Sequence, residues 1–483
     1  MQKFSQDSTL EKFLEFEDKY DLLKKDINGF YFWIYVRFKI INEIHKNLGE
    51  LDEGQNNSKF GNNKKEKIIN VIRLFIFSFL YILKFRFLKQ KDILIVNHPR
   101  KIKNEYGKYE CKYTHNLYEK IKNNSLMVEF PYPYKHFFPS NSDKILYLDW
   151  IRLYTTIYKK AKRKKYQISK ENKLILKDIF NKIQEEYKIK FDIDKYIKYI
   201  EDLYISYNIE KKLIYKLLRK INPKKIIEVV YYSIDNLIIN EIATELNIET
   251  IELQHGVMGV NHFAYNFKKK QNISQFPDKI LTFSEFWKQT TRFPIKEENV
   301  IPVGFPYFER KVNKYKQSVD SEEKNGKKKI LFISQASIGD KLVKLACELN
   351  KIIDKEKFEI IYKLHPGEFS IWKEKYKDLR INSIKTITNE IDLYELFLKS
   401  YVQVGVYSTA IYEGFGFGLD TYIYQIYGTD IFENLCKEGF ATYINSAEEL
   451  KKYLEKGKNN KKMNEEYLWK KDSLNNIIKE IEK

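Results

Sequence analysis

Five small groups of polar residues in this sequence each follow a short apolar run, and their side chains are of the kinds that bind phosphate or move protons. Ligands of open parallel sheets bind just beyond the carboxyl ends of the strands. If each apolar run is a buried strand, the five groups line one cleft between two sheets. The groups are Tyr232-Ser233 with Asp235, Gln254-His255-Gly256, Ser334-Gln335, His365-Pro366-Gly367 and Tyr407-Ser408-Thr409.

His365 is the first candidate for binding phosphate, because it stands before Pro366 in "YKLHPGEF". A residue before proline is held out of the helical region, and Gly367 lets the chain bend sharply. Such a histidine can donate to a phosphate oxygen or carry charge near neutral pH; the alternative is a packing or capping histidine. A second pair, His98-Pro99, lacks the Ser-Thr partner in its half of the chain, and we expect it to shape a turn.

Ser408 and Thr409 close an apolar run and open a predicted helix. Their hydroxyls and the first amides of that helix can bind an anion; the alternative is an ordinary helix cap. Glu413 follows one turn later and could accept hydrogen bonds from the two hydroxyls of a ribose, or be a solvated carboxylate. We place Ser334 and Gln335 in the same nucleotide-binding group.

His255 is the leading candidate for a general base, in "LQHGVMG". It could deprotonate an acceptor hydroxyl, serve as a second phosphate ligand, or be structural. Asp235 is the rival base, although a helix cap is the alternative there. Gln254, Gly256 and Tyr232 would line the acceptor side of the cleft.

The elements that must position these residues alternate between strand and helix from residue 224 onward, which is typical of parallel α/β sheets. A chain of 483 residues can hold two large domains. We predict an α/β fold: an N-terminal helical region over 1–90, a Rossmann-like acceptor domain over 91–310, and a Rossmann-like donor domain with C-terminal helices over 311–483. The two parallel sheets are expected to face a central cleft.

The composition is basic, with 86 Lys and Arg against 66 Asp and Glu and a formal net charge of +20. This indicates an acidic partner or a solvated lysine-rich surface. Nucleic acid is disfavoured, because there is no zinc-finger spacing or aromatic RNA-binding motif and the lysines are scattered. The three cysteines lie far apart, as in a reducing cytoplasm. No metal-binding run is evident, so we predict a metal-independent protein that needs no cofactor besides its substrate.

Residues 68–90 form an apolar segment with an uninterrupted centre, Leu74 to Leu83, that is ten residues long. A membrane-spanning helix needs roughly 20 apolar residues. The segment is therefore either a buried helix or a helix in the membrane interface, with Arg73, Lys84 and Arg86 binding anionic lipid. Since the N-terminus lacks the apolar core of a signal peptide, we expect a cytoplasmic protein, peripheral on the inner face of the plasma membrane.

Four motifs, "LQHG", "VGFPYFE", "KLHPGE" and "GVYSTAIYEGFGFG", resemble those of GT-B glycosyltransferases of bacterial capsule and lipopolysaccharide biosynthesis. These include the polysialyltransferases and the capsular Kdo transferases. The CDP-glycerol glycerophosphotransferases of teichoic acid synthesis share a His-Gly and a His-Pro. The resemblance covers residues 220–450 well. It implies that His365 and Ser408-Thr409 hold the phosphates of a nucleotide donor, and that His255 is a base or phosphate ligand.

Two details refine what the resemblance implies. The acidic base motif of the polysialyltransferases matches only Asp52-Glu53-Gly54, in a linker-like stretch. Retaining GT-B enzymes carry two glutamates separated by seven residues, and from Glu413 the second would fall at Thr421. We therefore expect inversion of configuration.

The predicted function is transfer of a sugar from a nucleotide donor to a surface-polysaccharide or lipid-linked glycan acceptor. A CMP-activated acidic sugar is the first expectation for the donor, with UDP-sugars, GDP-sugars and CDP-polyols open. The alternatives are a CDP-polyol phosphotransferase of the teichoic type, a nucleotide-sugar 2-epimerase, and a non-catalytic basic protein that binds membrane or nucleic acid.

Overall fold

A computed structural model gives the fold of most of the chain. The described residues are 6–49, 64–99, 101–131, 136–142, 144–317, 326–426, 428–457 and 460–483. Most of the predicted linker, including Asp52-Glu53-Gly54, lies outside them.

The described residues of the first half of the chain form nine strands. They are β1 (Ile93–Val96), β2 (Ile102–Lys103), β3 (Tyr109–Glu110), β4 (Ser125–Glu129), β5 (Ile145–Tyr147), β6 (Lys225–Glu228), β7 (Glu249–Leu253), β8 (Lys279–Thr282) and β9 (Val300–Pro302). β2 and β3 form a small antiparallel ribbon. The other seven make one parallel sheet in the order β5-β4-β1-β6-β7-β8-β9. The order changes direction at β1, as in doubly wound nucleotide-binding sheets.

Among the residues that the structure describes, ten α-helices precede or surround this sheet. They are α1 (Gln6–Lys19), α2 (Phe32–Asn47), α3 (Lys64–Arg86), α4 (His115–Ile121), α5 (Asp149–Lys162), α6 (Lys170–Tyr187), α7 (Ile193–Ile221), α8 (Ile234–Leu246), α9 (Glu285–Gln289) and α10 (Pro306–Gln317). The cap of α8 is Ser233, whose hydroxyl accepts from the N–H of Asn236. Asp235 lies in the first turn, so the prediction that it caps this helix is wrong.

The second sheet has six parallel strands in the order β12-β11-β10-β13-β14-β15. They are β10 (Lys328–Ile333), β11 (Phe358–Lys363), β12 (Lys385–Ile387), β13 (Val402–Gly405), β14 (Asp420–Tyr424) and β15 (Ala441–Ile444). Its helices are α11 (Gly339–Ile352), α12 (Trp372–Lys375), α13 (Lys377–Ile381), α14 (Leu393–Lys399), α15 (Thr409–Phe415), α16 (Glu433–Lys437), α17 (Ala447–Lys456) and α18 (Ser473–Glu482).

The predicted α/β fold, with two Rossmann-like parallel sheets facing a cleft and extra N-terminal helices, is confirmed. The strands are short and apolar, because helices cover both faces of each sheet. The end of the chain returns to the first domain, where Trp287 donates its indole N–H to the carbonyl of Leu468 and Lys225 donates to the carbonyl of Ile481.

The N-terminal helices reach the loop that follows β7. Arg37 of α2 is buried and pairs with Glu17 of α1 at 2.8 Å. The same guanidinium donates to the carbonyl oxygens of Phe263 at 2.9 Å, Ala264 at 3.3 Å and Asn266 at 3.0 Å. Five guanidinium donors in a fixed fork suit such multiple bonding. The first two helices therefore hold the long loop that begins at the candidate base.

Helix α3 buries only one narrow face. Leu74 and Ser78 are buried, and the Phe77 ring packs edge-on against Tyr147 at 5.6 Å. Among the described residues, no helix combines the length and apolar character of a membrane span. Ten large apolar side chains on and just after α3 are about half exposed or more: Ile69, Val71, Ile72, Phe75, Ile76, Phe79, Leu80, Ile82, Leu83 and Phe87.

Candidate active site

The loop after β7 faces the loop after β13 across the cleft. A Cβ built on Gly256 would lie 3.9 Å from the hydroxyl oxygen of Thr409. Both loops leave the carboxyl ends of their strands, at Leu253 and Gly405. Two of the five polar groups predicted from the sequence, one from each sheet, are thus brought into contact.

His255 lies in this contact, and polar groups flank both of its ring nitrogens. The hydroxyl of Tyr232 is 3.3 Å from Nε2, and that of Tyr265 is 3.4 Å from Nδ1. The buried carboxyl group of Glu252 is 3.8 Å from Nδ1 and accepts a hydrogen bond from Tyr265. Tyr265 therefore connects this carboxyl group to the imidazole. Hydrogen-bonding groups held behind one nitrogen orient a histidine ring, and the other nitrogen can then accept a proton.

Glu252 is a buried residue of β7, and burial raises its pKa to about 8. Its Oε1 also accepts the backbone N–H groups of Val230 at 3.0 Å and Tyr231 at 3.2 Å, which oppose that shift. This carboxyl group ties the loop after β6 to the loop after β7. It also fixes the position of Tyr265.

Gln254 shapes the His255 loop, although the sequence placed it among acceptor contacts. Its amide nitrogen donates to the carbonyl of Gly256 at 2.8 Å, and its oxygen accepts the N–H of Phe283 at 2.7 Å. The phenol of Tyr113 donates to the carbonyl of His255. Both ends of the Gln254 amide are thus engaged by backbone.

Asp235, the rival base, forms a bidentate ion pair with Arg152 of α5 at 2.7 and 2.6 Å. Arg152 also binds Glu210 of α7 at 2.8 Å. Burial raises the pKa of Asp235, and the guanidinium opposes that shift. Since both carboxylate oxygens are taken by Arg152, the geometry favours His255 over Asp235 as the base.

The loop after β11 that contains His365 is exposed, and the buried carboxylate of Glu368 supports it. Glu368 Oε2 accepts the N–H of His365 at 2.7 Å, and Pro366 begins the short turn between them. His365 Nδ1 accepts the N–H of Gly367 at 3.1 Å. An accepting Nδ1 places the proton of the neutral ring on Nε2. His365 therefore has the tautomer that can donate Nε2–H to a phosphate oxygen.

Ser334 supports that loop. Its hydroxyl donates to Glu368 Oε1 at 3.0 Å, and the Tyr376 hydroxyl donates to the same oxygen at 2.7 Å. A Cβ on Gly367 would lie 3.8 Å from that of Ala336, so the loops after β10 and β11 adjoin. The side-chain oxygen of Gln335 is buried and, among the described residues, has no hydrogen-bond partner. Ser334 thus positions the His365 loop. The side-chain oxygen of Gln335 can still accept a hydrogen bond.

Ser408 caps α15, with its hydroxyl accepting the N–H of Ala410 at 3.3 Å. Glu413, one turn after Thr409, is buried and hydrogen-bonded to Tyr394. Burial raises the pKa of Glu413, and the Lys112 ammonium and Tyr394 oppose that shift. Glu413 is therefore a buried, partnered carboxyl and not a solvated one.

Sequence reasoning missed several residues of this cleft. The ring of His98, expected only to shape a turn, lies 6.3 Å from that of His255 and nearly parallel to it. The sequence did contain a local signal for His98, because this residue closely follows an apolar strand, as His255 and His365 do. Lys112, Tyr113 and Tyr265 carry no motif, and only the folded chain brings them to the site.

The His255 loop, backed by the carboxyl group of Glu252, therefore lies opposite the hydroxyl group of Thr409. Hydroxyl donors can stabilise a developing phosphate anion. Among the described residues, no group of three or more His, Cys, Asp or Glu side chains is placed to hold a metal ion.

No protein-family model matches the sequence, and a search of curated proteins finds no significant match. Among solved structures, the chain is similar to a UDP-GlcNAc 2-epimerase from Methanocaldococcus jannaschii, with 13% identity over 82% of this chain and 99% of that chain and a TM-score of 0.49. The wall teichoic acid polymerase TagF is 14% identical over 87% of this chain and 93% of its own, with a TM-score of 0.40. The spinosyn rhamnosyltransferase SpnG is 9% identical over 75% and 91%, with a TM-score of 0.38. At these identities the similarity says nothing about the chemistry of this chain.

Proposed function

We propose that this protein is an inverting glycosyltransferase that uses a nucleotide-activated sugar. The observation that carries the proposal is the approach of Gly256 to Thr409 across the cleft. That approach brings the residue after His255 next to Thr409, and it supports a site that His255 shares with the hydroxyls of Ser408 and Thr409. Displacement of a nucleotide by a sugar hydroxyl requires a proton acceptor next to an anion-binding group. In the proposed site, the first sheet supplies the proton acceptor and the second sheet supplies the anion-binding group.

The proposed reaction is a single displacement at the anomeric carbon. His255 takes the proton of the acceptor hydroxyl at Nε2 as the oxygen attacks from the face opposite the leaving group. The bond between the anomeric carbon and the phosphate oxygen breaks, and its electron pair leaves on the nucleotide. His365, Ser408 and Thr409 stabilise that charge by hydrogen bonding.

The donor and acceptor classes are proposed on chemical grounds. A net charge of +20 favours acidic substrates, so we take a CMP-activated acidic sugar as the first donor candidate and a surface glycan or lipid-linked glycan as the acceptor. Glu413 would accept hydrogen bonds from the donor ribose if its carboxylate exchanges Tyr394 for the sugar hydroxyls. No resident cofactor is proposed.

The surface around α3 supports placing the protein on the inner face of the plasma membrane. Its row of half-exposed apolar side chains adjoins α5, where Ile157 is 54% exposed beside Lys159 and Lys160. A patch of this kind with basic flanks suits an anionic lipid surface. A lipid-linked acceptor would then reach the first domain from the membrane.

A panel of donors tests the function. Purified protein is incubated with CMP-, CDP-, UDP- and GDP-linked donors, and release of nucleotide is measured with and without a glycan acceptor. We expect one nucleotide class to be consumed, and we expect His365→Ala to raise its dissociation constant about tenfold. Consumption of CDP-glycerol alone would indicate the polyol-phosphate reaction, and sugar epimerisation without transfer would indicate an epimerase. If no nucleotide binds or is consumed, the transferase proposal is wrong.

A further inference from the structure

Lys112 lies in the segment between β3 and α4, next to Tyr113, whose phenol donates to the carbonyl of His255. Lys112 is half-buried, and its ammonium nitrogen lies 5.1 Å from the ring centroid of Tyr113 and 5.8 Å from that of Phe305. Both distances allow attraction between the cation and an aromatic face. The environment is thus one that favours a cation and removes it from water.

The other cations of this region are paired with carboxylates. Lys101 Nζ is 2.6 Å from Glu129, and Arg310 is 3.2 Å from Glu110. Within the part of the chain that the structure describes, no carboxylate oxygen lies within the 4.0 Å salt-bridge distance of Lys112. Lys112 therefore differs from its neighbours in lacking a directly bonded anion.

Lys112 is connected to the candidate site through its neighbour Tyr113 and through the charge of Glu413. Tyr113, the next residue, donates to the carbonyl of His255. On the other side of the cleft, Lys112 experiences the charge of Glu413, which lies on α15 one turn after Thr409. Lys112 is thus linked through Tyr113 to the His255 loop, and through charge to Glu413 of the second domain.

Removing an ammonium from water is costly unless an anion compensates it. Burial lowers the pKa of Lys112, but Tyr113 and Glu413 outweigh that effect and hold it above its ordinary value, so the side chain stays charged. Glu413 already forms a hydrogen bond with Tyr394. Lys112 thus stays charged without a carboxylate at salt-bridge distance among the described residues, and an anionic group of a substrate can take that position.

We propose that Lys112 binds an anionic group of the donor, either a nucleotide phosphate or a carboxylate on the transferred sugar. This inference rests on the proposed function and adds a contact from the first domain. The anion would lie between Lys112 on one side and His365 with Ser408-Thr409 on the other. Donor binding would then draw the two domains together.

Calorimetric titration tests the assignment. Wild type, Lys112→Met and Lys112→Arg are titrated with CMP, CDP, UDP and uncharged cytidine, and with a CMP-linked acidic sugar. Arg310→Met is the matched control, because it removes a cation of the same region that already has a carboxylate partner. Thermal unfolding of each variant checks that it is folded.

A phosphate contact predicts that Lys112→Met weakens nucleotide binding about 10- to 100-fold, with cytidine unaffected and Lys112→Arg retaining part of the affinity. A carboxylate contact predicts unchanged nucleotide affinity but weaker binding of the acidic sugar donor. Either result supports the proposal. If Lys112→Met binds every ligand like wild type, or loses no more than Arg310→Met, Lys112 has no such role. If wild type binds no nucleotide at all, the proposed function fails, and the assignment fails with it.

Discussion

The two domains contribute different chemistry to one cleft. At the edge of the first sheet, rings surround the proposed base: His255 lies among Tyr232, Tyr265 and His98. At the edge of the second sheet, the loops are exposed or capped, and the buried carboxylate of Glu368 accepts the N–H of His365. Under the proposed function, this difference corresponds to a division of labour, with proton transfer and acceptor binding in the first domain and donor binding in the second.

Replacing His255 is expected to have the largest effect. His255→Gln should lower kcat about 10²- to 10⁴-fold, because a general base is lost, while nucleotide affinity stays near that of wild type. Steady-state kinetics and nucleotide titration on the same preparation measure both quantities. Asp235→Asn is the control and should reduce kcat less. If Asp235→Asn lowers kcat more than His255→Gln does, Asp235 is the general base and the proposed division of labour is wrong.

Glu368→Gln tests the second domain. The buried carboxylate accepts from the His365 N–H, the Ser334 hydroxyl and the Tyr376 hydroxyl. Replacing one of its oxygens with an amide nitrogen should lower the free energy of unfolding by about 1–3 kcal/mol. Nucleotide affinity should fall with it, because the His365 loop loses its support.

Urea unfolding and nucleotide titration measure the two effects. Glu374→Gln, an exposed change on α12, is the matched control and should alter neither. A Glu368→Gln variant as stable as wild type, with unchanged nucleotide binding, would show that the network does not position His365.

The smallest expected effect concerns the outer surface of the first domain. Phe79→Glu on α3 should weaken binding to vesicles of phosphatidylcholine and phosphatidylglycerol about fivefold or more, since one charge near such a surface changes binding by about 1 kcal/mol. Vesicle sedimentation measures this. Ile381→Glu, at an exposed apolar residue of the second domain, should leave binding unchanged. Equal loss in both variants would contradict a specific role for α3.

The sequence predicted the sheets well, because buried strands and helices alternate with a clear period after residue 224. It also indicated a His-Pro-Gly turn at His365 and hydroxyls at a helix start at Ser408-Thr409, because both signals are local; their role in phosphate binding stays a prediction. The Asp235 cap was wrong because Ser233, two residues earlier, satisfies the same backbone amides.

What the sequence could not predict depends on distant parts of the chain. Lys112 reaches the cleft only because the segment between β3 and α4 lies beside the His255 loop. Arg152 reaches Asp235 from 83 residues away. For α3, the apolar composition left a buried or an interfacial helix open, and packing against α5 uses only the face around Leu74 and Ser78.

The most direct test of the account is a crystal structure of the protein with CMP bound. We predict the phosphate within hydrogen-bonding distance of His365 and of Ser408 or Thr409, with His255 facing it from the other domain. A nucleotide bound at the opposite edge of either sheet, away from His365 and Ser408-Thr409, would contradict the central claim that this cleft is the transferase site.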